Sequence, residues 1–443
     1  MAKLLRKRAD IEKIVEKSLR KQPIVDMHTH LYPPGFGTPA PNKGGVGDPK
    51  GLLLWGLDEM LTYHYLVAEV YRIVPATVLP YEDFWKMPKV AQAEHIWKHL
   101  FVERTPISEA CRGVLTSLNL LGLEISKNRD LAKLRKWFGQ QDPSKHIDKV
   151  MEIANVESIT MTNAVFDDNE RERWLKEPAK LGDPRFTAVL RIDPMLCDWP
   201  AAARKMAEWG FAVGDGVNFS EQNLQEGRRF LNEWIERQKA IYVALSLPPE
   251  FQYPASPQDT VGRAGQTVLE KIILPVCAEK NLPFAMMIGS KRAVNPALRD
   301  AGDMGGFSSV ASVGRLCNEF PQNKFFCTML ARENQHELAV AARKFGNLMV
   351  FGCWWFLNNP SLIEEMTRVR IELLGTTMIP QHSDCRILEQ LLYKWEHSRK
   401  VIGKVLTDKY ADIAHTGWAL TEADIKADAA RLLKGNFQDF VKR

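Results

Sequence analysis

The chain has 443 residues, 45% of them hydrophobic and 26% charged, long enough for one large α/β domain or two to three smaller ones. A net charge of +5, left over from 59 basic and 54 acidic side chains, does not indicate a dedicated nucleic-acid surface. The seven cysteines are scattered and contain no C-x-x-C pair, which points to reduced thiols in a cytoplasm, and no run approaches the roughly 18 apolar residues of a membrane span. The partner to look for is therefore a small molecule, with neither nucleic acid nor membrane implied; a homo-oligomer is compatible with this reading and not required by it.

Residues 1–21 alternate charges with Leu4, Leu5, Ile11, Ile14, Val15 and Leu19, the pattern of a docking helix and not of a signal peptide. Eight short β-rich apolar runs follow, at Ile24 to His28, Ser158 to Asn163, Phe186 to Ile192, Ala240 to Leu245, Phe284 to Ile288, Phe325 to Met329, Leu348 to Cys353 and Thr376 to Gln381. Most are followed by charge-rich helical segments, such as Glu221 to Arg237, Gly265 to Lys280, Ser308 to Glu319 and Gln335 to Phe345. That alternation predicts parallel strands with right-handed helical crossovers, an α/β fold of the (β/α)8 TIM-barrel type, spanning 1–443 as one metal-dependent unit with its site at the C-terminal strand ends. Residues 32–155 are too many for one crossover. Helical patterns at Leu57 to Arg72, Tyr81 to Met87, Val90 to Leu100, Ser108 to Leu121 and Asp130 to Gly139 predict a helical insertion between strands 1 and 2, packed near the barrel mouth. The Pro/Gly-rich piece Pro33 to Gly51 leads into it as a loop, either a lid over the site or a surface loop without a role in catalysis.

His28 and His30 end the first run. At i and i+2 on a strand both imidazoles point to one side, so both reach one ion. Asp384 lies just past the last run, which in a closed barrel neighbours the first, and it supplies the carboxylate of a metal site with His28 and His30. Two His and one Asp favour one divalent ion, Zn²⁺ first and Mn²⁺ second, with open positions for a chelating substrate. Asp384 equally suits an N-cap of the helical stretch Ile387 to Val401. Arg386, two residues on, offers a planar fork for adjacent hydroxyls or a carboxylate. Arg191 and Arg332 also sit near strand ends and suit an anion, and Trp354-Trp355-Phe356 is placed to wall a pocket, although aromatics at such positions more often fill a core. Gly44-Gly45-x-Gly47 lacks the strand-turn-helix setting of a phosphate loop. The runs around Met287 and Thr328 end without a histidine, and Leu245-Ser246-Leu247 without a bridging Lys or Glu, so one ion is favoured over two.

Val25-Asp26-Met27-His28-Thr29-His30-Leu31, Tyr63-His64-Tyr65, Gly352-Cys353-Trp354-Trp355-Phe356 and Asp384-Cys385-Arg386, in that order over nearly the whole chain, resemble the uronate isomerase family of the amidohydrolase superfamily. The resemblance is closest to a short, divergent bacterial branch, through the stretches beginning at Thr62, Ser108, Phe284, Arg332 and Ile379. Met286-Met287-Ile288-Gly289 departs from the mainstream family, which carries a histidine there, and this weakens the transfer of a fourth ligand. The resemblance implies a cytoplasmic aldose-ketose isomerase of hexuronate catabolism, converting D-glucuronate to D-fructuronate and D-galacturonate to D-tagaturonate through a cis-enediol. It further implies that Asp384 starts proton removal, Tyr65 exchanges protons at the C1 oxygen and Arg386 holds the C2 and C3 hydroxyls. His64, Arg191, Trp354, Trp355 and Arg332 would complete the substrate pocket. Two other readings stand beside it: a mononuclear metal-dependent hydrolase or decarboxylase acting on a sugar acid, and a sugar-acid binding protein without turnover.

Overall fold

The computed structural model describes residues 4–39, 47–125, 129–176, 181–214 and 219–443. Its strands are β1 (Ile24–Asp26), β2 (Val156–Thr160), β3 (Asn163–Ala164), β4 (Phe186–Thr187), β5 (Leu190–Arg191), β6 (Val243–Leu247), β7 (Phe284–Ile288), β8 (Ser290–Lys291), β9 (Met304–Gly305), β10 (Phe325–Met329) and β11 (Leu348–Val350). They form an α/β architecture of parallel sheets, one ordered β1-β2-β4 and one β11-β10-β7-β6-β5-β3, with β8 and β9 as a small antiparallel pair. Every residue of β6, β7, β10 and β11 is buried. That is what a parallel sheet covered on both faces demands, and it explains why these runs read as unbroken apolar stretches instead of alternating ones. In register, Val243, Phe284 and Phe325 lie side by side, as do Leu245, Met286 and Cys327.

Because side chains alternate along each strand, two apolar sets result. Val243, Leu245, Phe284, Met286, Phe325 and Cys327 pack with the helices, whereas Ala244, Ala285, Met287, Phe326, Met349 and Phe351 pack with Met27, Val189 and Tyr242 on the other face. Phe437 and Phe440, from the C-terminal helix Asn436–Lys442, close this second set with rings 5.9 and 4.8 Å from Phe326.

Backbone bonds continue beyond the regular strands. Met161 N–H donates to Thr187 O and Asn163 N–H to Val189 O, tying the two sheets together. Ile379 N–H donates to Val350 O and Gly352 N–H to Ile379 O, while Asp384 N–H donates to His28 O and His30 N–H to Cys385 O. The predicted eighth run is thus corrected: Thr376 to Gln381 forms only the isolated bridge of Ile379 with Phe351. Pro380 has no N–H to give a ladder, which accounts for the interruption.

Helix α1 (Arg8–Lys21) buries Ile11, Val15 and Leu19 at i, i+4, i+8 spacing, and docks on the long helix Gln390–His415 where Gly403 lets Leu19 approach. Between β1 and β2 lie α2 (Leu57–Leu61), α3 (His64–Val70), α4 (Tyr81–Lys86), α5 (Lys89–Trp97), α6 (Glu109–Leu120), α7 (Leu131–Phe138) and α8 (Pro143–Ala154). The helix expected over Leu57 to Arg72 is split at Thr62 and Tyr63, Tyr63 being extended, so His64 opens a new helix. Helix α8 has no counterpart among the expected elements, although Asp142 caps it and Pro143 occupies its first turn, a legible start signal. Among the described residues, no helix is long and apolar enough to cross a membrane.

One glycine is required by its surroundings. Gly352 has φ +62°, its carbonyl accepts from buried Arg370 Nη1 at 2.7 Å, and a Cβ there would stand 1.6 Å from His382 Nδ1. Gly352→Ala is expected to cost about 3 kcal/mol or more, read as a lowered denaturant midpoint.

Candidate active site

The C-terminal ends of the parallel strands open on a cavity of about 190 Å³ lined by His28, His30, Tyr63, His64, Arg191, Ser246, Met287, Arg292, Asp300, Trp354, Trp355, Asp384 and Arg386. His28 and His30 follow β1, and their Nε2 atoms lie 3.3 and 3.4 Å from Asp384 Oδ1. One ligand atom from each of the three falls within 4.8 Å of the others, and among the described residues this is the one such cluster. Asp384 is placed by a left-handed backbone, φ +54°, which lets the chain turn back toward His28. It is not a helix cap. The following helix starts at Gln390 and not Ile387, with Glu389 before it making no side-chain cap.

Whether these residues suit a cation can be judged from hydrogen bonding. Thr162 Oγ1 gives its single proton to Thr29 O at 2.9 Å, so its 3.3 Å contact with His28 Nδ1 is one in which the imidazole N–H donates. In a neutral ring that leaves Nε2 of buried His28 as a lone pair, without a hydrogen-bond partner among the described residues, facing a carboxylate oxygen. Two acceptors facing each other in a buried site fit a positive ion between them. Burial draws the His30 imidazole down to about 4 against the pull of Asp384, so this ring is neutral at neutral pH. Neutral imidazoles and an ionised carboxylate are the ligand states a divalent ion takes.

The supports of the trio are buried. Asp26, its carboxyl raised by burial, accepts from Ser383 N–H at 3.1 Å and from Trp395 Nε1–H at 2.9 Å, pinning the Asp384 loop to β1. His382 stands edge-on to His28 with ring centroids 5.2 Å apart. Beyond Arg386 the same loop is gripped by the segment between β1 and β2: Leu388 N–H donates to Leu54 O, Gly56 N–H donates to the Glu389 carboxylate, and Glu389 Oε1 lies 2.7 Å from His146 Nε2 of α8. Both members of this pair are fully buried. His146→Leu leaves the carboxylate without its ring partner and is expected to destabilise by about 3 kcal/mol or more, measured by denaturant unfolding.

Arg386 Nη1 meets Asp300 at 2.7 Å, and its backbone N–H donates to Gln390 Oε1. Arg191 is held by Asp193 and by Ser246 Oγ, the latter at 3.2 Å. Arg292 is paired with Asp303 and lies 5.2 Å over the Trp355 ring. Trp355 has φ +46° and stacks on Phe356. The structure thus brings together His28, His30, His64, Arg191, Trp354, Trp355, Asp384 and Arg386. It does not bring Arg332 to the cavity: that side chain is exposed and paired with Glu365 at 3.0 Å. Tyr65 is also outside the lining, its ring 4.6 Å from His64 and 5.1 Å from Tyr63; the phenol that lines the cavity is Tyr63.

Tyr63, Ser246, Arg292 and Asp300 are cavity residues that the sequence reading did not single out as site residues. Arg292 and Asp300 come from an irregular loop after β7 with no periodic signal, whereas Tyr63 was hidden by the unseen helix break. Met287, from β7, also lines the cavity. Within Pro33 to Gly51, residues 40–46, and with them Gly44 and Gly45, lie outside the described residues. Its described parts are anchored, with Trp55 Nε1–H donating to Thr38 Oγ1 and Asp48 paired with Arg173, and none lines the cavity.

No protein-family profile and no curated protein sequence matches the chain. Solved structures do. A uronate isomerase from Bacillus halodurans is 49% identical over 99% of this chain and 98% of its own, with TM-score 0.91. A uronate isomerase from Thermotoga maritima, 16% identical over 99% and 98%, has TM-score 0.76, and a glucuronate isomerase from Caulobacter crescentus, 16% identical over 98% and 94%, has TM-score 0.62; these two speak to the fold alone.

Proposed function

The chain belongs to the uronate isomerase family, and on that premise we propose that it interconverts D-glucuronate with D-fructuronate and D-galacturonate with D-tagaturonate through a cis-enediol, as an enzyme of hexuronate catabolism. The observation that carries this reading is a chelating trio, His28, His30 and Asp384, on the wall of a cavity that also holds Arg386 and Arg191. A sugar acid has a matching outline: a carboxylate with a neighbouring hydroxyl at one end, and an aldehyde with hydroxyls at the other.

The strands are read as a (β/α)8 barrel in one unit of 1–443, with 32–155 as a helical insertion at its mouth. In support, backbone bonds run from β1 through the parallel strands to Ile379 and return from Asp384 and Cys385 to His28 and His30. All seven cysteines are unpaired, which suits a reducing cytoplasm.

His28, His30 and Asp384 would hold one divalent ion, zinc or manganese. When bound, it supplies positive charge that grips the carboxylate end of the sugar and makes a hydroxyl there easier to deprotonate. Asp384, ionised, is the base that starts proton removal. Arg386 holds the C2 and C3 hydroxyls and offsets the charge of the enediolate, and its pairing with Asp300 keeps the guanidinium aimed before substrate arrives. Arg191, Trp354 and Trp355 shape the pocket around the chain of carbons. Burial keeps the Tyr63 and Tyr65 phenols protonated, so each is a donor at neutral pH. The resemblance gives the proton exchange at the C1 oxygen to Tyr65; Tyr65→Phe is expected to lower kcat by about a hundredfold, and a larger loss in Tyr63→Phe would move that role to the phenol on the cavity wall.

The test is to supply ion-loaded protein of defined metal content with each uronate and follow the products by NMR. Keto-uronate from at least one is expected; an enzyme that forms none from either overturns the reading.

A further inference from the structure

His64 opens α3 with its ring against those of Tyr63, centroids 4.0 Å apart, and Tyr65, 4.6 Å apart. Trp355 Nε1–H donates to His64 Nε2 at 3.3 Å. An indole N–H can only donate, so Nε2 is the lone-pair nitrogen. A neutral ring then carries its proton on Nδ1, which has no hydrogen-bond partner among the described residues although His64 lines the cavity. The donor itself is immobilised: Trp355 sits in a left-handed backbone conformation, its ring stacked on Phe356 at 4.8 Å and covered by Arg292 on the cavity side. Protonating Nε2 would set two N–H groups against each other. Burial, reinforced by Arg386, also draws the imidazole down to about 3, which keeps it neutral at the pH of the cell.

We propose that His64 is a fixed-tautomer hydrogen-bond donor, its Nδ1–H given to an oxygen of the bound sugar chain and its Nε2 occupied by Trp355, so that it polarises that oxygen without acting as a base. This rests on the isomerase reading above for the identity of the ligand. It assigns Trp355 a positioning task beyond walling the pocket: it selects which nitrogen of His64 faces the reaction. A neutral imidazole donor stabilises developing negative charge on oxygen without giving up its proton, and no atom changes bonding partner at His64.

The tautomer is read directly in zinc-loaded, ¹⁵N-histidine-labelled enzyme by long-range proton–nitrogen correlation, with His64→Asn identifying the His64 signals by their loss. The expected spectrum has Nδ1 protonated and Nε2 bare; in Trp355→Phe the two nitrogens move toward a mixture. In turnover, the Asn amide nitrogen takes the place of Nδ1 and that of Gln the place of Nε2. His64→Asn is therefore expected to keep kcat within about tenfold of the parent while His64→Gln loses about a hundredfold, with KM changed less than kcat. A protonated Nε2 in the parent enzyme, or equal losses in the two variants, overturns the proposal. An enzyme inert toward uronates would overturn the reading of the reaction, while the nitrogen shifts would still decide the tautomer.

Discussion

Asp384→Asn is expected to release the ion and abolish turnover together. The amide keeps the size of the side chain but removes the one negative charge between His28 and His30, which lie 3.3 and 3.4 Å from it. Outer partners of metal ligands are commonly worth about 10- to 100-fold in affinity, so losing a charged ligand outright should exceed about a hundredfold. The fold should survive, because Asn tolerates the left-handed backbone that Asp384 adopts, φ +54°, better than almost any residue but glycine. Metal analysis after dialysis, read beside turnover and the unfolding midpoint, separates the loss of the ion from the loss of structure. Full ion retention in Asp384→Asn would remove Asp384 from the ligand set.

Arg386→Met is expected to do the opposite with the ion and the same with the reaction. The guanidinium is not a member of the chelating trio, so metal content should stay at the parent level. Turnover should fall by about a hundred- to a thousandfold, the range seen when one preorganised donor to a developing oxyanion is removed. Methionine keeps much of the length of the side chain, and Asp300, which loses its partner, is exposed enough to be hydrated, so little stability is at stake. If kcat were unchanged and only KM rose, Arg386 would be a ground-state anchor without a part in the chemistry.

These two residues also show how far the sequence can be read. His28 and His30 were legible because period-two geometry at the end of an apolar run leaves them one common side, and Asp384 because the last run returns beside the first. That it caps no helix was not legible: this rests on a positive φ and on a helix that begins six residues later. Which of Tyr63 and Tyr65 lines the cavity was not legible for a similar reason. A continuous helix over Leu57 to Arg72 would give them one geometry, but the break at Thr62 and Tyr63 turns the Tyr63 ring to the cavity and leaves Tyr65 against His64 and Phe356. Arg292 and Asp300 lie in a loop whose path is set by tertiary contacts such as Arg292 with Asp303, and no local pattern reports such contacts. The helix α8 and its buried His146 were within reach, since Asp142-Pro143 is a start signal, but the pairing of His146 with Glu389 across the fold was not.

The most direct measurement of the central claim uses galacturonate or glucuronate deuterated at C2, incubated with ion-loaded enzyme and followed by NMR. The expected result is a keto-uronate carrying deuterium at C1, part of it exchanged for solvent hydrogen, as a cis-enediol handled by a protein base requires. Complete retention of the label would point to hydride transfer, and the absence of any keto product would contradict isomerisation at this site.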